Sequence, residues 1–324
     1  MKVAVIGAGM AGLSCARRLR DAGIECVLFD KGRSAGGRVA TRRRDNLLFN
    51  HGAQYATART DPFSAVLRGL EANGAAGVWA EAGGHDARWT GLPGMSAIPR
   101  GLAEGLDVRT GRHVLFLHRE ADGWHLRHED AAAVRPGTVR DTGGECLGPF
   151  GAVVVAVPAP QAAPLLAAAG SFLAEPVSGV VVDPCWSAMF STDARLELPD
   201  FTQSKEGELA TVSRDSARPG RPPGPECWVL HASPSWSREH EERTAEDVAA
   251  QLLASLSRLV GTPVQTRGLL AHRWRFSQTR VPLGQPFLWD AGAGLGVCGD
   301  WCLGARVEDA FSSGRALAEA ISVR

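Results

Sequence analysis

The sequence is short of two residue types. Its 324 residues include three lysines (Lys2, Lys31 and Lys205) and one tyrosine, Tyr55. The 35 basic side chains are therefore almost all arginine, and 35 acidic ones balance them. A chain without net charge has no general electrostatic footprint for nucleic acid or an anionic membrane surface, so neither is expected as a partner. No apolar run approaches the roughly 18 residues a membrane span needs, and a cytoplasmic location is expected. The seven cysteines, at 15, 26, 146, 185, 227, 298 and 302, form no C-x-x-C pair. No His/Cys spacing along the chain matches a zinc site, so no metal is expected. Most of these cysteines lie in apolar runs, where cysteine behaves as a small hydrophobe. With 44% apolar and 22% charged residues, the composition is that of a globular protein of one or two domains.

Val3-Ala4-Val5-Ile6 has the continuous apolar character of a buried parallel strand. It runs into Gly7-Ala8-Gly9-Met10-Ala11-Gly12, a complete G-x-G-x-x-G. A helical pattern follows, with Leu13, Ala16 and Leu19 on one face and Gly23 as its stop; residues 24–29 read as a second strand ending at Asp30. Each part has a physical reason. Gly7 permits the tight turn, Gly9 lets a pyrophosphate approach the backbone, and Gly12 lets helix and strand pack closely. Asp30 stands where a carboxylate accepts ribose hydroxyls, which disfavours a 2′-phosphate.

The next segment selects the dinucleotide. Gly36-Gly37 offers backbone that can lie close to a bulky ligand, and Arg38 offers charge to a pyrophosphate. The run Arg33 to Thr41, R-x-x-G-G-R-x-x-[ST] in form, resembles the second cofactor motif of the flavin amine-oxidase superfamily, so the cofactor read here is FAD, held non-covalently. Near the other end, an apolar strand reaches Gly299-Asp300 and a helix follows from Val307. In proteins this segment resembles, the aspartate binds the ribityl chain and the helix N-terminus faces the flavin pyrimidine, where its dipole stabilises the charge of reduced flavin.

Between these ends, 47–54 reads as a strand, 95–106 as a helix broken or capped at Gly101, and 112–117 with 124–127 as two strands of a meander. Residues 152–157 read as a buried strand and 217–225 as a Pro/Gly-rich loop. A helix capped by Thr244 runs to Val260, flanked by strands at 227–232 and 269–276. Strand alternation puts His272 and Trp274 on one face of the later strand, and in the earlier strand it sets Cys227, Val229 and His231 opposite Trp228, Leu230 and Ala232. The expected fold class is α/β, a Rossmann-like FAD-binding domain with an inserted α+β substrate domain. The first is assigned residues 1–72, 94–165 and 286–324, the second 73–93 and 166–285.

Over nearly its whole length the chain resembles the renalase family, in particular bacterial members. The pieces that carry this are Ala35-Gly36-Gly37-Arg38, Gly52-Ala53-Gln54-Tyr55, Pro93-Gly94-Met95-Ser96-Ala97-Ile98, Trp228-Val229-Leu230-His231-Ala232, Ala271-His272-Arg273-Trp274, and Cys298-Gly299-Asp300-Trp301-Cys302-Leu303. His51 and Ala56 depart from the bulkier residues typical of the family. The resemblance implies an FAD oxidase acting on 2-dihydro- and 6-dihydro-NAD(P), with O2 as electron acceptor and hydrogen peroxide as product. It implies cofactor contacts at Gly7, Gly9, Met10, Ala11, Gly12, Asp30, Lys31, Arg33, Gly37, Arg38, Gly52, Ala53, Gln54, Val114, Gly299, Asp300 and Val307. Gln54, Tyr55, His231, Trp274 and Trp301 are expected at the substrate. Arg42, Arg43 and Arg44 read first as a solvated charge run, and alternatively as a contact for the substrate pyrophosphate. An amine oxidase on the same scaffold, or a non-catalytic flavoprotein, remains open. The scarcity of lysine and tyrosine weighs against the amine reading, because amine oxidases of this superfamily commonly set a lysine near flavin N5 and build a tyrosine cage.

Overall fold

The computed structural model describes residues 1–80, 86–135 and 137–323. The chain packs as two units, Met1–Gly37 with Pro99–Val182 and Thr279–Arg324, and Arg38–Ile98 with Asp183–Gln278.

The first unit is built on a six-stranded sheet whose centre is the apolar pair Ala152–Val155 and Lys2–Ile6. Lys2–Ile6 is parallel to both Ala152–Val155 and Glu25–Phe29; Asp107–Arg109 continues the sheet on one side and Leu295–Val297 on the other. Only the edge strand Leu288–Asp290 runs antiparallel. Val153, Val154 and Val155 are fully buried, as strands covered on both faces must be. The helices Met10–Asp21 and Val307–Ser322 pack on one another at unusually close range. A Cβ at Gly314 would lie 1.9 Å from the Ala11 carbonyl oxygen, so only glycine fits there. A separate three-stranded meander, Arg112–Glu120, Gly123–Asp130 and Glu145–Phe150, buries Leu117, Trp124, Leu126 and Phe150 in the core of this unit.

The second unit centres on a five-stranded sheet in the order Phe201–Gln203, Leu209–Arg214, Glu226–Ala232, Val181–Thr192 and Arg267–Val281, the first four strands pairing antiparallel. One face meets the helix Ala245–Val260, where Trp228, Leu230 and Ala232 pack with Val248, Leu252 and Leu256. At about 1.5–3 kcal/mol for each large side chain removed from water, this layer is the main source of the unit's cohesion. Thr244 caps the helix by accepting from the Asp247 N–H, and Gly261 ends it at φ +81°. The opposite sheet face carries Cys227, Val229 and Leu270, covered by Leu47 and Phe49 of a short hairpin.

The unit boundaries differ from the sequence assignment. Residues 38–72 and 94–98 belong to the second unit, because the Arg42–Arg44 and Leu47–Phe49 hairpin buries Phe49 against Met189 and Val229. Residues 166–182 and 279–285 go the other way, with Leu173, Val177 and Val180 buried in the core of the first unit. The strand expected over 47–54 ends at Phe49, and the helix Ala97–Ala103 passes through Gly101 without breaking. No helix among the described residues is long and apolar enough to cross a membrane.

Candidate active site

The nucleotide cradle lies in the first unit. Gly7 adopts φ +103° and donates its N–H to Phe29 O at 2.8 Å, turning the chain off the strand. Gly12 stacks on this turn: a Cβ there would lie 1.9 Å from Gly7 O. Gly9, where a Cβ would meet nothing within 4 Å, leaves open space beside the helix start. The helix Met10–Asp21 has no side-chain cap and no acid in its first turn, so its N-terminal N–H groups are suited to an anionic ligand. Met10 and Ala11 are buried behind it. The Gly36 N–H donates to Ala8 O at 2.8 Å, which lays the second glycine motif along the first, and Gly37 follows at φ +55°. These features fit a pyrophosphate.

Asp30 accepts the Ala8 N–H at Oδ2 and the Gly32 N–H at Oδ1, each at 2.6 Å. Burial pushes its pKa up, and the two N–H bonds oppose that shift. Each oxygen keeps a lone pair for a ribose hydroxyl. Lys31 and Arg33 are exposed beside it, and Val114 is buried in the core. At the far motif, Gly299 is required because a Cβ would lie 2.2 Å from Trp301 Nε1. Asp300 is buried and accepts from Thr279 Oγ1 at 3.4 Å; Val307 opens the final helix, where the Arg306 N–H donates to Asp309 Oδ2.

A second constellation forms within the other unit. Trp274 donates its indole N–H to His51 O at 2.8 Å. The rings of His51, His272 and Trp274 meet with centroids 4.6–5.0 Å apart. Gln54 adjoins them with its amide orientation fixed: Oε1 accepts from Arg218 Nη2 and Nε2 donates to Asn50 O, both at 2.6 Å. His231 Nε2 stands 3.2 Å from both Gln54 Nε2 and His51 O. Desolvation holds all three imidazoles neutral, lowering His51 to about 3 and His231 and His272 to about 4. Two buried polar atoms of this group, His51 Nδ1 and Asn50 Nδ2, have no partner among the described residues. The cluster offers flat faces, neutral imidazoles and hydrogen-bonding groups. Among the described residues no lysine belongs to it: Lys205 is exposed, and Lys2 and Lys31 lie in the first unit.

A buried ionic knot supports Gln54. Asp215 is fully buried and accepts from Arg218, from Arg221 Nη2 at 2.6 Å and from the Asn50 N–H at 2.7 Å. Arg218 also donates to Gln54 O and Ser213 Oγ, and its guanidinium lies 3.9 Å over the Trp79 ring. Burial lowers the Arg218 pKa, and Asp215 opposes the shift.

Of the expected substrate residues, Gln54, His231 and Trp274 come together. Tyr55 packs instead on Phe201, with Arg88 over its ring at 4.6 Å. Trp301 is 1% exposed and donates to Val157 O at 3.0 Å, a core position of the first unit. Gly52 and Ala53 abut Arg38, whose carbonyl oxygen accepts the Ala53 N–H at 2.9 Å and would lie 1.9 Å from a Gly52 Cβ. Arg43 and Arg44 are exposed, and Arg44 pairs with Asp45, as a solvated charge run does. Asn50, Asp215, Arg218 and Arg221 were not singled out from sequence. Three of them lie in or beside a Pro/Gly-rich loop, where arginine usually means solvent.

Comparison with known proteins agrees with the cradle. Residues 5–70 match an NAD(P)-binding Rossmann-like domain, and residues 62–322 match flavin containing amine oxidoreductase. A 4,4'-diapophytoene desaturase of Staphylococcus aureus is 42% identical over 52 residues, 16% of this chain and 10% of that protein, so the match spans about a tenth of its length. Among solved structures, an Exiguobacterium sp. 255-15 protein assigned as a protoporphyrinogen oxidase has a TM-score of 0.77 at 13% identity, covering 99% of this chain and 98% of its own. A putrescine oxidase with redesigned cofactor binding has a TM-score of 0.67 at 13% identity, covering 100% and 99%. These two likenesses show a shared fold. The cofactor of the cradle is FAD. With most of its length matched, the chain belongs to the flavin-containing amine oxidoreductase family.

Proposed function

We propose that this flavin oxidoreductase is an oxidase of isomeric dihydronicotinamide dinucleotides, converting 2-dihydro- and 6-dihydro-NAD(P) to β-NAD(P)+ while O2 takes the two electrons and, with the hydride's hydrogen and one proton from solvent, becomes hydrogen peroxide. FAD, when bound, supplies the hydride acceptor and passes the electrons to O2. The observation that carries the reading is the set of three imidazoles held neutral around Trp274 and Gln54, with no lysine among them. A dihydropyridine becomes an aromatic pyridinium by losing hydride alone, so no base has to take a proton. What the reaction asks of the chain is placement and exclusion of water. The rings of His51, His272 and Trp274 supply flat surface for the pyridine. Asn50 Nδ2 and His51 Nδ1 lie buried in this group without a partner among the described residues. Arg218 keeps Gln54 oriented, and Asp215 offsets the effect of its charge on His231.

The test is anaerobic mixing of the purified yellow protein with each dihydro-NAD isomer, with ordinary NADH and with a panel of amines. Rapid bleaching by the isomers and slow bleaching by the rest is expected. Bleaching by amines alone refutes the proposal in favour of amine oxidation, and no bleaching by any compound makes the chain a non-catalytic flavoprotein.

A further inference from the structure

The meander of the first unit has two faces, and only one is used by the core. Leu117, Trp124 and Leu126 point inward, so their chain neighbours His118 and His125 point to the other side. His118 and His125 are cross-strand partners, with rings stacked at 5.4 Å. Cys146, on the third strand, pairs in register with Arg127 and therefore lies diagonally next to His125. The result is a cluster in which one ligand atom each from His118, His125 and Cys146 lies within 4.8 Å of the others. Sequence spacing conceals this group, because its members come from three strands and Cys146 stands 21 residues beyond His125.

Two carboxylates complete the setting. Glu120 Oε1 lies 3.0 Å from His118 Nε2, and Asp122 Oδ1 lies 3.0 Å from His125 Nε2. Glu120, Asp122 and His125 also bring their ligand atoms within 4.8 Å of one another. The backbone is shaped to the imidazole: a Cβ at Gly148 would lie 2.5 Å from His125 Nδ1, so any other residue would displace the ring. Both histidines are partly buried, with 27% and 16% side-chain exposure, while Cys146 is exposed. A thiol, two imidazoles and an adjacent carboxylate form the mixed soft and borderline donor set that suits zinc.

We propose that His118, His125 and Cys146 form a zinc site, with Glu120 or Asp122 supplying a fourth, oxygen ligand. Zinc–nitrogen and zinc–sulfur bonds of about 2.0 and 2.3 Å require the donors to close by roughly 1 Å, which rotation of the exposed Cys146 side chain supplies. Binding forms a zinc–thiolate bond and releases the Cys146 proton to buffer. The metal would tie Glu145–Phe150, an edge strand whose pairing is irregular between Leu147 and Phe150, to the hairpin beside it. This site is independent of the oxidase reading.

The test is calorimetric titration of the FAD-loaded protein with zinc chloride, paired with mass-spectrometric measurement of Cys146 alkylation by iodoacetamide. One zinc per chain, a proton released on binding and at least tenfold slower Cys146 alkylation are expected. Cys146→Ser and His118→Ala should each weaken binding tenfold or more while FAD content stays unchanged. Absence of binding up to about 1 mM zinc, or binding that neither variant weakens, overturns the proposal.

Discussion

The three neutral histidines make stability acid-sensitive in a way that can be measured one residue at a time. Histidine in an unfolded chain titrates near 6.5, whereas His231 is lowered to about 4, with burial as the main cause. Between these values the unfolded state holds a proton that the folded state refuses, so stability falls as the pH drops through about 6.5 and continues to fall toward 4. For His231 the loss between pH 7.5 and pH 5 is about 2 kcal/mol, and His51 and His272 shift in the same direction. The His231 loss alone is a measurable part of the stability of a typical domain, about 5–15 kcal/mol. The measurement is urea unfolding of FAD-saturated protein at both pH values, followed by tryptophan fluorescence, for the wild type and for His231→Gln. Because the carboxylates and the cofactor are common to both proteins, their contributions cancel in the difference. The variant should lose about 2 kcal/mol less than the wild type on acidification. Equal losses would mean that the folded protein protonates His231 freely, and the case for a ring site of neutral imidazoles would fail with it.

Arg218→Met strips both Gln54 oxygens and Ser213 of their donor and leaves Asp215 to Arg221 and the Asn50 N–H. Removing one partner of a buried charge pair should destabilise the protein by about 3–5 kcal/mol, read from thermal unfolding. Gly314→Ala forces a Cβ to 1.9 Å from Ala11 O and should cost at least about 1–3 kcal/mol, whereas Gly179→Ala, 3.5 Å from Pro176 O, should be near neutral. Asp300→Ala should lose FAD on gel filtration where the wild type retains it; full retention would displace the ribityl site from Asp300. With the proposed dihydro-NAD substrate, kcat/KM should stay level from about pH 5 to 8, because the three imidazoles keep one protonation state across that range. A limb with a pKa near 6.5 would contradict this.

The parts of the molecule that were legible in the sequence are those fixed by local rules. The strand, glycine turn, helix and second strand of residues 1–30 follow from apolar runs and from glycines whose Cβ has no room, as at Gly12. Thr244 and Gly261 likewise marked the ends of their helix, and alternation separated Trp228 from His231. What escaped was assembled by pairing across the chain. Apolar periodicity reports where oil is buried and says nothing about a buried charge, so Arg218 looked like loop surface although it is 3% exposed. The hairpin over Arg42–Arg44 and Leu47–Phe49 packs in the second unit, apart from the sequence neighbours with which it was grouped, for a related reason. Its partners, Met189 and Val229, are more than a hundred residues away, and short apolar strands do not reveal which sheet they will cover.

The low imidazole pKa values also bear on the choice between a proposed hydride-only reaction and amine oxidation. An alkylammonium has a pKa near that of lysine, about 10.4, and must lose a proton before its nitrogen lone pair can assist hydride departure. His231, lowered to about 4, is a poor acceptor for that proton, so an amine would have to give it to solvent instead. His272, at about 4, and His51, at about 3, are no better. A lysine with bound water could relieve the cost, but none of the three lysines belongs to the cluster, and the single tyrosine is packed on Phe201. A dihydropyridine carries no such proton. The same desolvation that makes these histidines poor bases keeps water from the flat rings, which suits the proposed dihydropyridine substrate. The scarcity of lysine and tyrosine and the weak basicity of the imidazoles both favour the proposed chemistry, in which the substrate gives up a hydride and no residue of the cluster has to take a proton.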